Sequence, residues 1–345
     1  MDKFEKLRSK PHLNGPKRQH FVPKFYLEGF TSDGLLAVFD RVSGEIRKQQ
    51  PQNTAVVGHL YTFEDHQDRK RFDLEVLFSY IEEEAAPILK SLVQGDRISP
   101  KDRESFALFL GLAAVRTPAA IAEASSVYAG FEKARSRLML TDEHRVLELL
   151  KKMNGPDADE VLLRKEAHAI TTMALEESYD IVVDPGYALQ RSLNVWSTVA
   201  KELWSRDWMV LHAPGEGQSF LTSDSPVVLT SGSAATRHLP IGYGSSHAQI
   251  LFSLTSKYAL VASGSLGRTG RADIKVDALR RFNMTIAQDC HRYVMGGNAA
   301  LVENITTELG LAGTEWRPKS RVEIGRRIKA DGTVSIGAYV KRMGT

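Results

Sequence analysis

Cysteine is almost missing from this chain. Cys290 is the only one in 345 residues, so no intrachain disulfide can form and a reducing compartment is expected. No basic cluster flanks Cys290 to lower its pKa, so a small buried core side chain is the expected role. Long apolar runs are missing too. Residues 1–20 contain nothing resembling the apolar centre of a signal peptide, and no window approaches the roughly 18 apolar residues of a membrane span. The expectation is a soluble, cytoplasmic protein with no membrane partner. Familiar catalytic signatures are also absent: there is no HExxH, paired CxxC, GxSxG, GxGxxG or GxxxxGK phosphate loop. GSLGRTG at 264–270 is a GxxGxxG run after an expected strand, and it reads as a flexible turn.

What is present suits a folded body. An apolar content of 42% over this length provides a sizeable core for one large domain or two closely packed ones. The net charge of +3 is too small to imply nucleic acid by itself, but it is unevenly spread. From residue 317 onward eight basic side chains face Glu323 and Asp331, and six more basic side chains lie in the first eighteen residues. Two basic arms flank a near-neutral body.

Residues 1–17, with Pro11, Gly15 and Pro16 and no periodicity, read as a flexible basic lead-in. A short helix is expected from Phe21, with Phe21, Phe25, Tyr26 and Phe30 as its packing face. A β-hairpin is expected over 35–49, turning at Ser43-Gly44, with Asp40 closing its first strand. Helices follow at about 72–94, 100–137, 142–153, 158–178 and 186–205. Pro118 must kink or break the second, because it removes a donor and crowds the preceding turn. Beyond Trp208 the pattern turns to strands, then to a helix over 274–289, the strand RYVM, and a final hairpin around Asp331-Gly332. The fold class is α+β: an N-terminal short helix and hairpin, a helical middle over about 72–205, and a mostly antiparallel C-terminal sheet over about 206–296. Residues 18–297 are read as one domain, with 298–345 as a helix and basic β-hairpin extension.

Among the polar residues, the acidic run Asp157, Asp159 and Glu160 is explained by helix capping. Four features stand out from that background. His20 precedes the first expected helix, whose N-terminus would disfavour protonation and leave a neutral base or metal ligand; a core hydrogen bond is the alternative. Arg116 ends the apolar run SFALFLGLAAV, so a permanent charge enters the interior and requires a protein carboxylate or a ligand phosphate or carboxylate. Asp224 follows Thr222 and Ser223 in FLTSDSPVVL, either in a hydrogen-bonded turn or lining a pocket at a strand end. Asn283 sits inside an expected helix, where it either finds a buried partner or faces solvent.

The segments QHFVPKFYLEGF, AVFDRVSGEI, AVRTP, FLTSDSPVVL and RFNMTIAQDCHRYV, in this order, resemble the uncharacterised prokaryotic family known as domain of unknown function 4238. The resemblance spans about residues 18–296 and includes His20, Asp40, Arg116, Asp224 and Asn283. An Asn often follows the aspartate in that family, whereas Ser225 stands here. The resemblance implies no established activity.

Two functional expectations follow. The first is a hydrolase acting on a phosphate ester or nucleic acid, with His20, Arg116 and Asp224 in one pocket. Thr222, Ser223 and Asn283 would line it, and a divalent metal would be held by His20, Asp40 and Asp224. The second is a non-enzymatic binding module whose basic termini engage nucleic acid or an acidic partner. Convergence of His20 with Asp224 separates the two.

Overall fold

A computed structural model describes residues 11–232, 236, 239–328 and 334–342, the side chains of 323–339 and beyond 340 excepted. The chain gathers into two compact units. The larger comprises residues 1–122, 189–317 and 342–345, and the smaller 123–188 and 318–341. The helices of 123–188 collect around a small core of their own.

The larger unit contains two principal sheets. Strands are β1 (Arg18–His20), β2 (Leu36–Asp40), β3 (Ile46–Gln49), β4 (Val56–Gly58), β5 (Phe63–Glu64), β6 (Lys70–Arg71), β7 (Asp207–His212), β8 (Thr222–Ser223), β9 (Val227–Ser231), β10 (Ala248–Ser253), β11 (Tyr258–Ser263), β12 (Thr269–Asp273) and β13 (Tyr293–Gly296). A five-stranded sheet runs β12-β7-β11-β10-β9, antiparallel except for the β12–β7 pair, and a four-stranded antiparallel sheet runs β3-β2-β13-β8. Among the described residues β1 pairs with β4 alone, placing His20 opposite Val56. The β2–β3 turn has Gly44 at φ +74°, a conformation glycine adopts without Cβ strain.

Helices of this unit are α1 (Lys24–Glu28), α2 (Asp73–Gln94), α3 (Pro100–Val115), the start of α4 (Pro118–Leu140), the end of α7 (Pro185–Asn194), α8 (Trp196–Ser205), α9 (Val276–Gln288) and α10 (Ala299–Glu308). Ser99 and Asp102 close a reciprocal capping box on α3, as the SPKD spacing predicts. α3 is buried on most sides, with Phe106, Phe109, Leu110, Leu112, Ala113 and Val115 all in the core. Gly111 admits α8 at close range, since a Cβ there would meet Ala200 at 3.0 Å. Tyr26, Phe30, Phe106, Phe109 and Phe252 form an aromatic cluster with ring centroids 5.0 to 6.5 Å apart.

The smaller unit holds the rest of α4 and α7, α5 (Glu143–Asn154), α6 (Glu160–Glu176), and the paired strands β14 (Ser320–Ile328) and β15 (Val334–Arg342). Val146, Leu147, Leu163 and Ala167 make its core. Asp159 caps α6 through the Val161 and Leu162 N–H groups, which accounts for the acidic run without a ligand. Glu123 accepts from the Lys319 and Ser320 backbone N–H groups at the start of β14.

Several boundaries moved. The helix expected over 100–137 divides at Arg116-Thr117, where Thr117 accepts the Ala120 N–H and Pro118 opens a new helix. That expected over 186–205 divides at Val195. His20 lies in strand β1, and the first helix begins only at Lys24. Of the lead-in, residue 12 is tied down: the Phe72 N–H donates to the His12 carbonyl at 2.8 Å. Residues 1–10 and the Asp331-Gly332 turn lie outside the described residues. Among the described residues no single helix is long and apolar enough to cross a membrane.

Candidate functional site

The candidate residues divide into two groups. The first group is held on the four-stranded sheet. Asp224 leaves β8 and enters the turn before β9, fully buried. Its Oδ1 accepts the His291 N–H at 2.8 Å, and its Oδ2 accepts the Arg292 and Tyr293 N–H groups at 2.7 and 3.0 Å. Burial pushes its carboxyl up to about 6, with those N–H groups pulling the other way. Arg292 links this carboxylate to a second one. Its side chain donates to both oxygens of Asp40 at 2.8 to 3.1 Å, and Arg47 adds a contact at 3.2 Å. Burial raises the Asp40 carboxyl, but Arg292 and the Val42 N–H outweigh it and leave it below its ordinary value.

The neighbours are equally committed. The Thr222 hydroxyl meets that of Tyr26 at 2.6 Å, and Ser223 closes a local turn with the Ser225 backbone. Asn283 accepts the Leu221 N–H and donates to the Ser219 carbonyl, both at 2.9 Å, clamping the chain that enters β8. Thr222, Ser223, Asp224 and Asn283 are each no more than 1% exposed. They brace a turn and a strand end instead of lining an open pocket. The helical Asn283 therefore takes the buried-partner alternative.

A second group assembles around the end of α3. Arg116 caps that helix and is 1% exposed, so its charge needs an anion close by. Glu82 of α2 supplies it, with Oε1 2.7 Å from Nη2. The Phe78 ring lies 5.4 Å below the guanidinium carbon, and Tyr61 meets Phe78 edge-on at 4.9 Å. The Tyr61 hydroxyl donates to the Arg116 carbonyl at 2.9 Å, an acceptor freed because the helix stops there. Gln19, fully buried on β1, accepts the Tyr61 N–H at 2.7 Å and so ties the strand bearing His20 to this group.

His20 feels the charges of Glu82 and Arg116. Its pKa falls below the ordinary value, chiefly through burial, with Arg18 and Arg116 lowering it further and the Pro51 carbonyl and Glu82 opposing. The neutral imidazole expected from sequence thus has burial as its main cause, and the first α-helix begins only at Lys24. Glu75 lies seven residues before Glu82, on the same face of α2. Burial pushes its carboxyl up to about 7, Glu82 adds to the rise, and Arg116 opposes it. Arg116 keeps its proton firmly: burial pulls its pKa down, but Glu82, Tyr61 and Glu75 more than offset this.

Buried nitrogens here lack hydrogen-bond partners: Nε2 of His20 and Nε of Arg116, whose Nη2 meets Glu82 as an ion pair. The structure therefore brings His20 and Arg116 into one electrostatic neighbourhood and gives Asp224, Asp40, Thr222, Ser223 and Asn283 different partners. Neither Asp40 nor Asp224 shares a hydrogen bond or ion pair with His20. Among the described residues no group of three or more His, Cys, Asp or Glu side chains is placed to hold a metal ion. Asp40 and Asp224, expected as ligands beside His20, instead spend their oxygens on arginine and backbone N–H groups.

Sequence reasoning missed Glu75, Glu82, Tyr61 and Arg292. The spacing of Glu75, Phe78 and Glu82 on one helical face was a usable signal. Glu82 alone was not distinguishable, since it opens the run Glu82-Glu83-Glu84.

A family described as "Protein of unknown function (DUF4238)" matches residues 18–300, a span that contains every residue of both groups. No curated protein and no solved structure matches.

Proposed function

The chain belongs to the DUF4238 family of proteins of unknown function, and from that premise we propose that it is a hydrolase acting on a phosphate ester, including the phosphodiester of a nucleic acid. His20 serves as general base and Arg116 holds the phosphate oxygens. One observation carries the reading: His20 and Arg116 keep unspent hydrogen-bonding capacity at Nε2 and Nε, whereas the carboxylates of Asp224 and Asp40 are engaged at both oxygens. Buried polar atoms are seldom left unpaired, so an orphaned Nε on a buried guanidinium suits an anion that arrives from outside.

The electrostatics fit that chemistry. A neutral imidazole can take a proton from the attacking water. Glu82 favours the imidazolium that results, because its charge raises the His20 pKa. Arg116 remains a fixed cation, stacked on Phe78 and anchored through Nη2, with its fork preorganised for charge on a phosphoryl oxygen. Asp224 and Asp40 belong to this reading as supports of the fold, so it rests on His20 and Arg116 and not on the convergence of His20 with Asp224.

The test is a phosphomonoesterase, phosphodiesterase and nuclease screen of the wild type beside His20→Ala and Arg116→Lys, with urea unfolding of each. Activity that drops at least roughly 100-fold in His20→Ala at an unchanged unfolding midpoint supports the assignment. Full activity in that variant refutes it.

A further inference from the structure

Hydrolysis of an ester also needs a proton for the leaving oxygen, and His20 cannot give one while it acts as base. On the hydrolase reading above, we propose that Glu75 is the general acid that protonates the leaving group. Its position on α2 supports this. The spacing Glu75, Phe78, Glu82 sets three side chains on one helical face, and the central one lies against Arg116. Glu82 is committed to the guanidinium at 2.7 Å, while no hydrogen bond or ion pair among the described residues engages the carboxyl of Glu75. Glu75 is half-buried and senses the charge of Arg116, as does His20. The charged and titratable groups that influence it are Arg116 and Glu82, and it in turn acts on Tyr61. Burial, which holds this carboxyl near neutral protonation, supplies the proton that an ordinary surface glutamate would have lost.

The step balances without another reactant. A water oxygen forms the new bond to phosphorus as its proton passes to His20. The bond from phosphorus to the ester oxygen breaks, and that oxygen takes the Glu75 proton. His20 and Glu75 then return to their starting states by exchange with solvent. Glu82 is the less suitable donor, because its carboxylate is already engaged by the Arg116 guanidinium at 2.7 Å.

A leaving-group comparison tests the assignment. Wild type and Glu75→Gln are assayed on 4-nitrophenyl and on phenyl esters of the same phosphate, after matched unfolding curves establish that the variant folds. The 4-nitrophenolate departs readily without a proton, whereas phenolate gains much from one. Glu75→Gln should slow the phenyl ester by roughly 100-fold or more and the 4-nitrophenyl ester less than roughly tenfold. Equal slowing of both esters, or no slowing, overturns the role of Glu75 and leaves the hydrolase reading in place. A wild type inactive on both, and on the wider phosphate-ester screen, overturns the hydrolase reading and this acid with it. If Glu75→Gln fails to fold, Glu75→Asp takes its place. A shortened acid that slows only the phenyl ester supports the proposal, and uniform slowing overturns it.

Discussion

Asp224 is the residue whose replacement most clearly separates a structural from a chemical role. Its carboxylate is the acceptor for three consecutive N–H groups, of His291, Arg292 and Tyr293, at 2.7 to 3.0 Å inside the protein. Asp224→Ala removes all three acceptors and leaves the donors buried. A hydrogen bond to a charged group contributes about 1.5–3 kcal/mol, and an unsatisfied buried donor costs about 1–3 kcal/mol. These contributions do not add in full, because water can enter the space vacated. The variant also escapes the penalty of burying a carboxylate, visible in a pKa pushed up to about 6. A net loss of about 3 kcal/mol follows, a large share of a typical domain's stability. Asp224→Asn keeps one oxygen but turns an NH2 group toward at least one N–H, so a loss of about 1–3 kcal/mol is expected. Urea unfolding at pH 7 measures both. At that pH the carboxyl is above its folded pKa of about 6, so its contribution no longer changes with pH. Amide exchange at 291–293 should accelerate in parallel. An Asp224→Ala protein within about 1 kcal/mol of wild type, but devoid of activity on a substrate the wild type hydrolyses, would refute the structural assignment.

Other outcomes follow from the same geometry. The folded pKa of Glu75, about 7, exceeds its ordinary 4.5, so the folded state holds this proton longer and stability declines as pH rises from 4.5 to 7. Allowing for partial exposure, the decline is about 1–3 kcal/mol, and Glu75→Gln should lack it in urea unfolding across pH 4.5–8. For wild-type kcat/KM, a bell is expected: an acid limb below 6.5 as His20 gains a proton, and an alkaline limb near 7 as Glu75 loses one. Glu75→Gln should remove the alkaline limb alone; its persistence would assign that limb to another group. Tyr61→Phe deletes the donor to the Arg116 carbonyl and should cost about 1–2 kcal/mol in urea unfolding, with Tyr61→Leu costing more through the lost ring contact with Phe78.

Local chemistry was legible from the chain itself. The capping box at Ser99 and Asp102, the Asp159 cap, the Ser43-Gly44 turn and the alternation of the C-terminal strands depend on interactions within a few residues. Pro118 announced a break for the same reason, and the buried helix ending at Arg116 followed from an apolar run too broad for one face. His20 was misplaced by a few residues: pairing of β1 with β4 extends the backbone there, and that pairing depends on a partner 36 positions away.

Periodicity and composition sufficed for the α+β class, the helical middle, and the short set of polar residues that had to be buried. They also established that Arg116 would need an anion, because a guanidinium does not lose its proton and cannot sit unpaired in a core. Packing between helices selected the anion. Glu82 was chosen from three adjacent glutamates by the direction in which α2 presents its inner face to the end of α3. The same packing set His20 beside that pair and gave Asp224 to the backbone of 291–293, separating residues that looked equivalent in the sequence. Such choices rest on long-range approach between elements, and neither periodicity nor spacing within one segment encodes them.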